Sequence, residues 1–255
     1  MPERGAAFFD LDHTILPFDT QAFFANFVLK KEGWRRVYLL WFLPVGLLAG
    51  LKVVSLRFAK RVFLSYLVGI PRERLESYVD EFVASDFAAA TYPEVVAEIG
   101  RQREEGRRLI LNSASPTLYL EAIAKHLGFD DWLGTEMVLP EKLPLMPQLT
   151  GPNNKHEAKV IAMLERGLIP STDQREKLGD TWAYSDSSAD LPMLRLAEHA
   201  VMIHPSEKLA AIGDEEGWRY LTPHRPYLSK WGGRVASALQ MLGGYSLPDQ
   251  WRRGE

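Results

Sequence analysis

The stretch Ala6-Ala7-Phe8-Phe9-Asp10-Leu11-Asp12-His13-Thr14 decides how the rest of the chain is read. Its four leading apolar residues show no alternation, which predicts a short strand buried on both faces with Asp10 at its carboxyl end. Two later runs have the same form: Arg108-Leu109-Ile110-Leu111 before Asn112-Ser113, and Trp182-Ala183-Tyr184 before Ser185-Asp186. Helix-like segments lie at Tyr92 to Glu105, Pro116 to Leu127, Glu157 to Arg166 and Asp190 to Ala197. Strands alternating with helices predict an α/β fold, a doubly wound parallel sheet with helices on both faces. In such sheets ligands bind outside the carboxyl ends of the strands, where these polar tips collect.

Between about Pro17 and Ala90 the character changes. Long apolar or amphipathic runs at Gln21 to Leu29, Val37 to Leu51, Ser55 to Leu67 and Glu73 to Phe87 predict an all-helical insert. The expected organisation is a discontinuous core at residues 1–16 and 91–220, a helical insert at 17–90, and a C-terminal extension at 221–255. The extension offers one short helix candidate near Arg234 to Leu242.

Of 255 residues, 46% are hydrophobic and 25% charged, the profile of a globular protein with a sizeable core. A net charge of −3 argues against a nucleic-acid partner. Cysteine is absent, which excludes disulfides, thiol nucleophiles and Cys-ligated zinc. The opening residues MPERGAAFFDLD carry no signal pattern, so a cytoplasmic protein is expected.

The net charge averages two unlike parts. Residues 30–61 hold eight basic side chains against Glu32 alone, a local charge of +7 that leaves −10 for the remainder. This basic stretch encloses Val37 to Leu51, 15 residues without a charged side chain and interrupted by Pro44. Spanning a bilayer takes about 20 apolar residues. The expected structure is therefore a buried helix pair turning near Pro44 to Gly50, with a homodimer contact as an option. The alternative is an interfacial surface over residues 34–61, with Trp34 and Trp41 facing an anionic membrane and the protein membrane-peripheral.

The chemistry-bearing residues sit at the predicted strand tips. Residues two apart on an extended chain point to the same side, so Asp10 and Asp12 can reach one reacting centre. Two carboxylates there can divide labour, one as nucleophile or metal ligand, the other as general acid and base. Ser113, Ala114 and Ser115 precede a predicted helix, where a hydroxyl and free N–H groups make an anion site; an ordinary Ser N-cap before Pro116 has the same pattern. Asp186 can ligate Mg²⁺, with Asp190 four residues on at a helix start, although both could equally be capping acids. Lys159 would bring a compact positive charge from a helix, and Lys155 is a second candidate that spacing leaves open.

Four motifs taken together resemble the haloacid dehalogenase (HAD) superfamily, in its phosphoserine-phosphatase-like branch, subfamily IB. They are D-L-D-H-T at 10–14, S-A-S at 113–115, Lys159 before V-I-A-M-L, and D-S-S-A-D-L-P-M-L at 186–194. Weaker similarity lies in LGFDDWLGTE at 127–136, LTG at 149–151 and HPSEKLAAIGDEEGW at 204–218. The resemblance implies a Rossmann-like HAD core with a helical cap that closes over the site, and a Mg²⁺-dependent phosphatase acting on a small phosphorylated substrate. Asp10 would be the nucleophile, forming an aspartyl-phosphate, and Asp12 the acid and base. Mg²⁺ would sit on Asp10, the backbone carbonyl of Asp12 and Asp186. Ser113, Ala114 and Thr14 would hold phosphate, Lys159 would supply charge, and Asp190 would support the metal or the lysine.

Dehalogenases of the superfamily lack an acid at the position of Asp12, so phosphoryl transfer is favoured over carbon–halogen cleavage. Phosphoserine phosphatases typically have Glu, Ser-Gly-Gly and Asn where this chain has Asp19, Ser113-Ala114-Ser115 and Ala189, which opens the substrate beyond phosphoserine and makes Asp19 a candidate substrate contact. The alternatives are a phosphotransferase, a lipid-phosphate phosphatase working at a membrane surface, and a non-enzymatic binding module on the same scaffold.

Overall fold

The computed structural model describes residues 5–227 and 229–252. Its strands are β1 (Ala6–Phe9), β2 (Arg108–Pro116), β3 (Asp131–Thr135), β4 (Leu178–Ser185), β5 (Ala197–Ile203) and β6 (Arg219–Leu221). The helices are α1 (Thr20–Lys31), α2 (Leu39–Gly50), α3 (Leu56–Phe63), α4 (Arg72–Phe82), α5 (Ala88–Ala90), α6 (Pro93–Glu104), α7 (Thr117–Leu127), α8 (Glu157–Glu165), α9 (Leu191–Leu196), α10 (Glu207–Glu216), α11 (Lys230–Met241) and α12 (Asp249–Arg252). The chain divides into two compact units.

The first unit takes the described residues through Pro17, Ala90–Thr135 and Pro152–Arg225, and holds the whole sheet. The strands are parallel throughout, in the order β3-β2-β1-β4-β5-β6. Every residue of β1 is buried, as a strand covered on both faces requires. Phe9 stacks on Tyr184 of β4 with ring centroids 4.1 Å apart, which ties the two central strands together. The chain runs outward from β1 to β3 and then returns to β4 on the other side of β1. That reversal opens a crevice at the carboxyl ends of β1 and β4, the place where open α/β sheets take ligands. This is the doubly wound α/β fold that the apolar runs predict. One local difference concerns Asp190 to Ala197, where the predicted helix is a 3₁₀ turn (Ser188–Asp190) followed by α9, and Ala197 already begins β5.

The second unit takes Phe18–Ala89, Glu136–Gly151 and the described residues from Pro226 onward. It is helical, and its boundaries differ from the expected ones, which leave 136–151 in the core and 221–255 as a separate extension. Hydrogen bonds account for the difference. Arg57 donates to the carbonyls of Gly151, at 2.6 Å, and Leu149, and Arg61 donates to that of Pro147 at 2.9 Å. The Asn26 side chain on α1 donates to the Tyr245 carbonyl at 3.1 Å and accepts its N–H at 3.0 Å. A buried amide satisfied on both sides by one residue's backbone fixes that segment against α1. The α1 helix is the centre of the unit: ten successive residues, Thr20 to Leu29, are buried, and Phe24 and Phe27 meet Phe82 of α4 edge to face.

Just past α1, Glu32 is buried and accepts from Arg35 at 2.6 Å and Tyr78 at 2.7 Å, with Arg74 3.1 Å away. Burial alone would raise its carboxyl, but the Tyr78 and Arg35 hydrogen bonds and the two guanidinium charges outweigh it and hold it below the ordinary value of 4.5. A depressed acid binds its proton less tightly folded than unfolded, so its contribution is complete above about pH 4.5 and is lost as pH falls through the folded value. We expect Glu32→Gln to cost about 1–3 kcal/mol at pH 7, read from urea midpoints, with the gap from wild type closing as pH drops below 4.

The stretch expected to form a buried, kinked pair is different. Pro44 lies within α2 without ending it, and only Leu39 and Ala49 of that helix are buried. No helix among the described residues is long and apolar enough to cross a membrane.

Candidate active site

Asp10 follows the last residue of β1, and its N–H donates to the Tyr184 carbonyl at 3.0 Å, so the sheet ladder itself sets its position at the reversal point. Directly beyond Asp12 the chain turns sharply. His13 takes a positive φ of 60°, and the amides of Thr14 and Ile15 return to the Leu11 carbonyl. Such conformations, uncommon without glycine, gather at functional sites.

Lys159, on the first turn of α8, lies with its Nζ 2.6 Å from Asp10 Oδ1 and 2.9 Å from Asp190 Oδ1. Lys155 is exposed ahead of α8, so the geometry chooses Lys159. The Thr14 hydroxyl donates to Asp10 Oδ2 at 3.3 Å and accepts the Asp186 N–H at 3.1 Å. Thr14 is buried with both roles spent inside the protein. Its hydroxyl, expected to hold phosphate, here positions Asp10 and the Asp186 backbone.

Asp12 accepts from the Ser115 hydroxyl at 2.8 Å, and Tyr119 donates to Ser115 Oγ at 3.0 Å. Where the sequence offers Ser115 as a helix N-cap, β2 runs on to Pro116, and Pro116 takes the cap position of α7. This frees the Ser115 hydroxyl for Asp12. Ser113 Oγ accepts the Ser115 N–H at 3.0 Å, and the Ala114 carbonyl accepts from Thr135 at 2.8 Å. Gly134 lets β3 approach this turn, since a Cβ there would come 2.9 Å from the Ser115 carbonyl. Asp19 belongs to the helical unit, where its carboxylate caps α1 by accepting the Ala22 N–H at 3.0 Å.

Four carboxylates, Asp10, Asp12, Asp186 and Asp190, gather here among the described residues, and Lys159 forms ion pairs with two of them, Asp10 and Asp190. Burial pushes the Asp10 carboxyl up to about 7, against the pull of Lys159 and with the added push of Asp190 and Asp12. Asp186 is raised well above the ordinary carboxylate range, by burial first and then by Asp10 and Asp190. Burial also works against the Lys159 charge, but Asp10 and Asp190 outweigh it and hold its pKa above the ordinary lysine value. The Asp186 carboxylate accepts no hydrogen bond from any described residue.

This gathering of carboxylates tests whether a cation fits. Among the described residues no three His, Cys, Asp or Glu side chains form a metal-holding group by themselves. A hard cation such as Mg²⁺ needs fewer, because it keeps several waters and takes backbone carbonyl oxygen readily. Asp10 and the unpartnered Asp186, with the other two carboxylates beside them, fit that requirement.

A family model described as haloacid dehalogenase-like hydrolase matches residues 7–195. The chain belongs to that family. Among relatives of this HAD hydrolase, a probable phosphatase from Mycobacterium tuberculosis is 26% identical over 231 residues, covering 88% of this chain and 77% of that one. A histidinol-phosphatase from Neisseria meningitidis is 23% identical, covering 86% and 98%. The fold is similar to that of a protein of unknown function from Bordetella pertussis, at a TM-score of 0.71 and 22% identity over 86% and 98% of the two chains. It is also similar to that of a phosphoserine phosphatase holding a phospho-aspartyl intermediate analogue, at a TM-score of 0.55 and 17% identity over 87% and 94%. Relatives of this HAD hydrolase thus include proteins named as phosphatases.

Two residues at the HAD site have no role of their own in the sequence expectation: Ser185, which donates to Asp190 Oδ2 at 2.7 Å, and Asn154, which donates to Asn112 Oδ1 at 2.8 Å and the Ser113 carbonyl at 2.9 Å. The one signal for Ser185 is a hydroxyl at a strand tip. Asn154 carries none, because its partners lie about forty residues away.

Proposed function

We propose that this HAD hydrolase is a Mg²⁺-dependent phosphatase that hydrolyses small phosphate monoesters through a phosphorylated Asp10. The observation that supports it best is the Asp10 carboxylate at the tip of β1, fixed by Lys159 on one oxygen and Thr14 on the other. In the first half-reaction an Asp10 oxygen attacks phosphorus, the bond from phosphorus to the ester oxygen breaks, and Asp12 gives that oxygen its proton. In the second, Asp12 takes a proton from water, the water oxygen attacks phosphorus, and the bond to Asp10 breaks, which releases inorganic phosphate. Ser115 keeps Asp12 turned to one task in both halves.

Lys159 offsets phosphoryl charge from a buried position, where the low dielectric strengthens its effect. Ser113 donates its hydroxyl proton to a phosphate oxygen, its oxygen being occupied by the Ser115 N–H. Asp190 and Ser185 hold Lys159 in place. Asp10, Asp186 and the Asp12 carbonyl would hold Mg²⁺, which supplies charge neutralisation for an anionic nucleophile meeting an anionic substrate.

The test is phosphate release from an aryl phosphate and from a panel of monoesters that includes phosphoserine, histidinol phosphate and lysophospholipids. Chelation with EDTA should abolish turnover and added Mg²⁺ restore it. Asp186→Asn should raise the Mg²⁺ concentration for half-activation about tenfold or more. Full turnover in EDTA would overturn the metal assignment.

A further inference from the structure

We propose that the outward face of α2, with the turn leading into it, docks this protein peripherally on an anionic lipid surface. The inference is independent of the chemistry proposed for Asp10. A surface helix of a soluble domain normally turns polar residues to solvent, and a helix that is apolar all round is normally buried. α2 breaks both rules. Leu40, Trp41, Leu43, Leu47, Leu48 and Leu51 are each between 38% and 67% exposed. At 100° per residue they fall in one continuous arc of about 160°, and every exposed side chain of the helix is apolar. Trp34, 60% exposed, extends the face through the 3₁₀ turn Gly33–Tyr38. Single exposed apolar residues need no explanation, whereas a contiguous set marks a contact surface.

Charge selects the occupant. From Gly33 to Arg72 the chain contains seven basic residues and no acidic one, and of these Arg35 and Arg72 pair with Glu32 and Glu76 just outside the stretch. Arg36, Arg57 and Arg61 donate to backbone carbonyls, which hold the guanidinium groups without neutralising them. Lys52, exposed at the turn after α2, adds a further cation. An apolar face carrying tryptophan and bordered by uncompensated positive charge fits the headgroup layer of an anionic bilayer. A second copy meeting the same face about a two-fold axis would set these charges against each other. α2 has 12 residues, so the contact is interfacial, not spanning.

The test is co-sedimentation of the full chain with phosphatidylcholine vesicles, with and without phosphatidylglycerol. The protein is expected to pellet with the phosphatidylglycerol vesicles and to be released by high salt. The pair Trp41→Ser and Leu47→Ser is expected to weaken partitioning about tenfold or more, and Lys52→Glu about five- to tenfold. All three positions are exposed and outside the catalytic machinery, so turnover of a soluble ester and urea midpoints should match wild type. Equal recovery in the supernatant with and without phosphatidylglycerol overturns the proposal, as does equal pelleting with neutral vesicles. So does a concentration-dependent dimer in sedimentation equilibrium that the Trp41 and Leu47 exchanges abolish while vesicle binding is absent.

Discussion

Asp10→Asn should reduce phosphate release at least about ten-thousandfold while the protein stays folded. The amide keeps the size of the carboxylate and its place on the sheet ladder, but it is no nucleophile toward phosphorus. The neighbouring carboxylates have other tasks: Asp12 is engaged by Ser115, Asp190 by Lys159 and Ser185, and Asp186 is the proposed metal ligand. Stability should move the other way or not at all. The folded Asp10 carboxyl titrates near 7, above its ordinary 3.8, so in the metal-free protein the cost of ionising it accrues between those values and is complete above pH 7. An uncharged side chain escapes that cost. Thermal midpoints at pH 8 without metal should therefore show the variant no less stable than wild type, and a variant retaining full turnover would refute the nucleophile assignment.

Lys159→Met is the second large effect, and it falls on stability as well as rate. Removing the ammonium leaves Asp10 and Asp190 buried beside each other without a counter-charge, a situation that costs about 3–5 kcal/mol. Asp10, already raised by burial, would lose the pull of Lys159 and rise further, so the sign reverses relative to Glu32. The loss should be small near pH 4, where Asp10 holds its proton, and grow as pH rises through its elevated value. Urea midpoints across pH 4 to 8 measure it. Turnover should fall about 100- to 1,000-fold, the loss typical of removing one preorganised charge stabiliser. Lys159→Arg should not rescue fully, because a planar guanidinium cannot fill a slot shaped for one ammonium between two carboxylates. A destabilisation independent of pH would mean that Lys159 acts through packing alone.

Much of the sheet was readable because its physics is local. Ala6 to Phe9 form an unbroken apolar run since β1 is buried on both faces, and a carboxylate ending such a run has few structural uses. Asp10 and Asp186 are legible that way, and Asp12 and Asp190 stand two and four residues after them. The strands β3, β5 and β6 gave weaker signals because they are short and mix charged or polar residues with apolar ones: DWLGT, AEHAVMI and RYL. The bond from Ser115 to Asp12 is not legible because an N-cap and a strand tip use the same residue types, and only the extension of β2 to Pro116 separates them. The choice between Lys155 and Lys159 needed the start of α8 and the burial of Val160 and Met163, which set how the helix is rotated. The attachment of 136–151 to the helical unit left no pattern at all. It rests on arginine side chains reaching backbone carbonyls, and a carbonyl looks the same under any sequence.

The double hydrogen bond between Asn26 and Tyr245 joins positions 219 apart. A ribosome makes Asn26 long before Tyr245. Until Tyr245 has emerged, α1 lacks the backbone partner that its Asn26 amide has in the folded unit. The helical unit therefore completes this contact only after that segment has left the ribosome. Shortening the gene after the last strand would leave that amide without this partner.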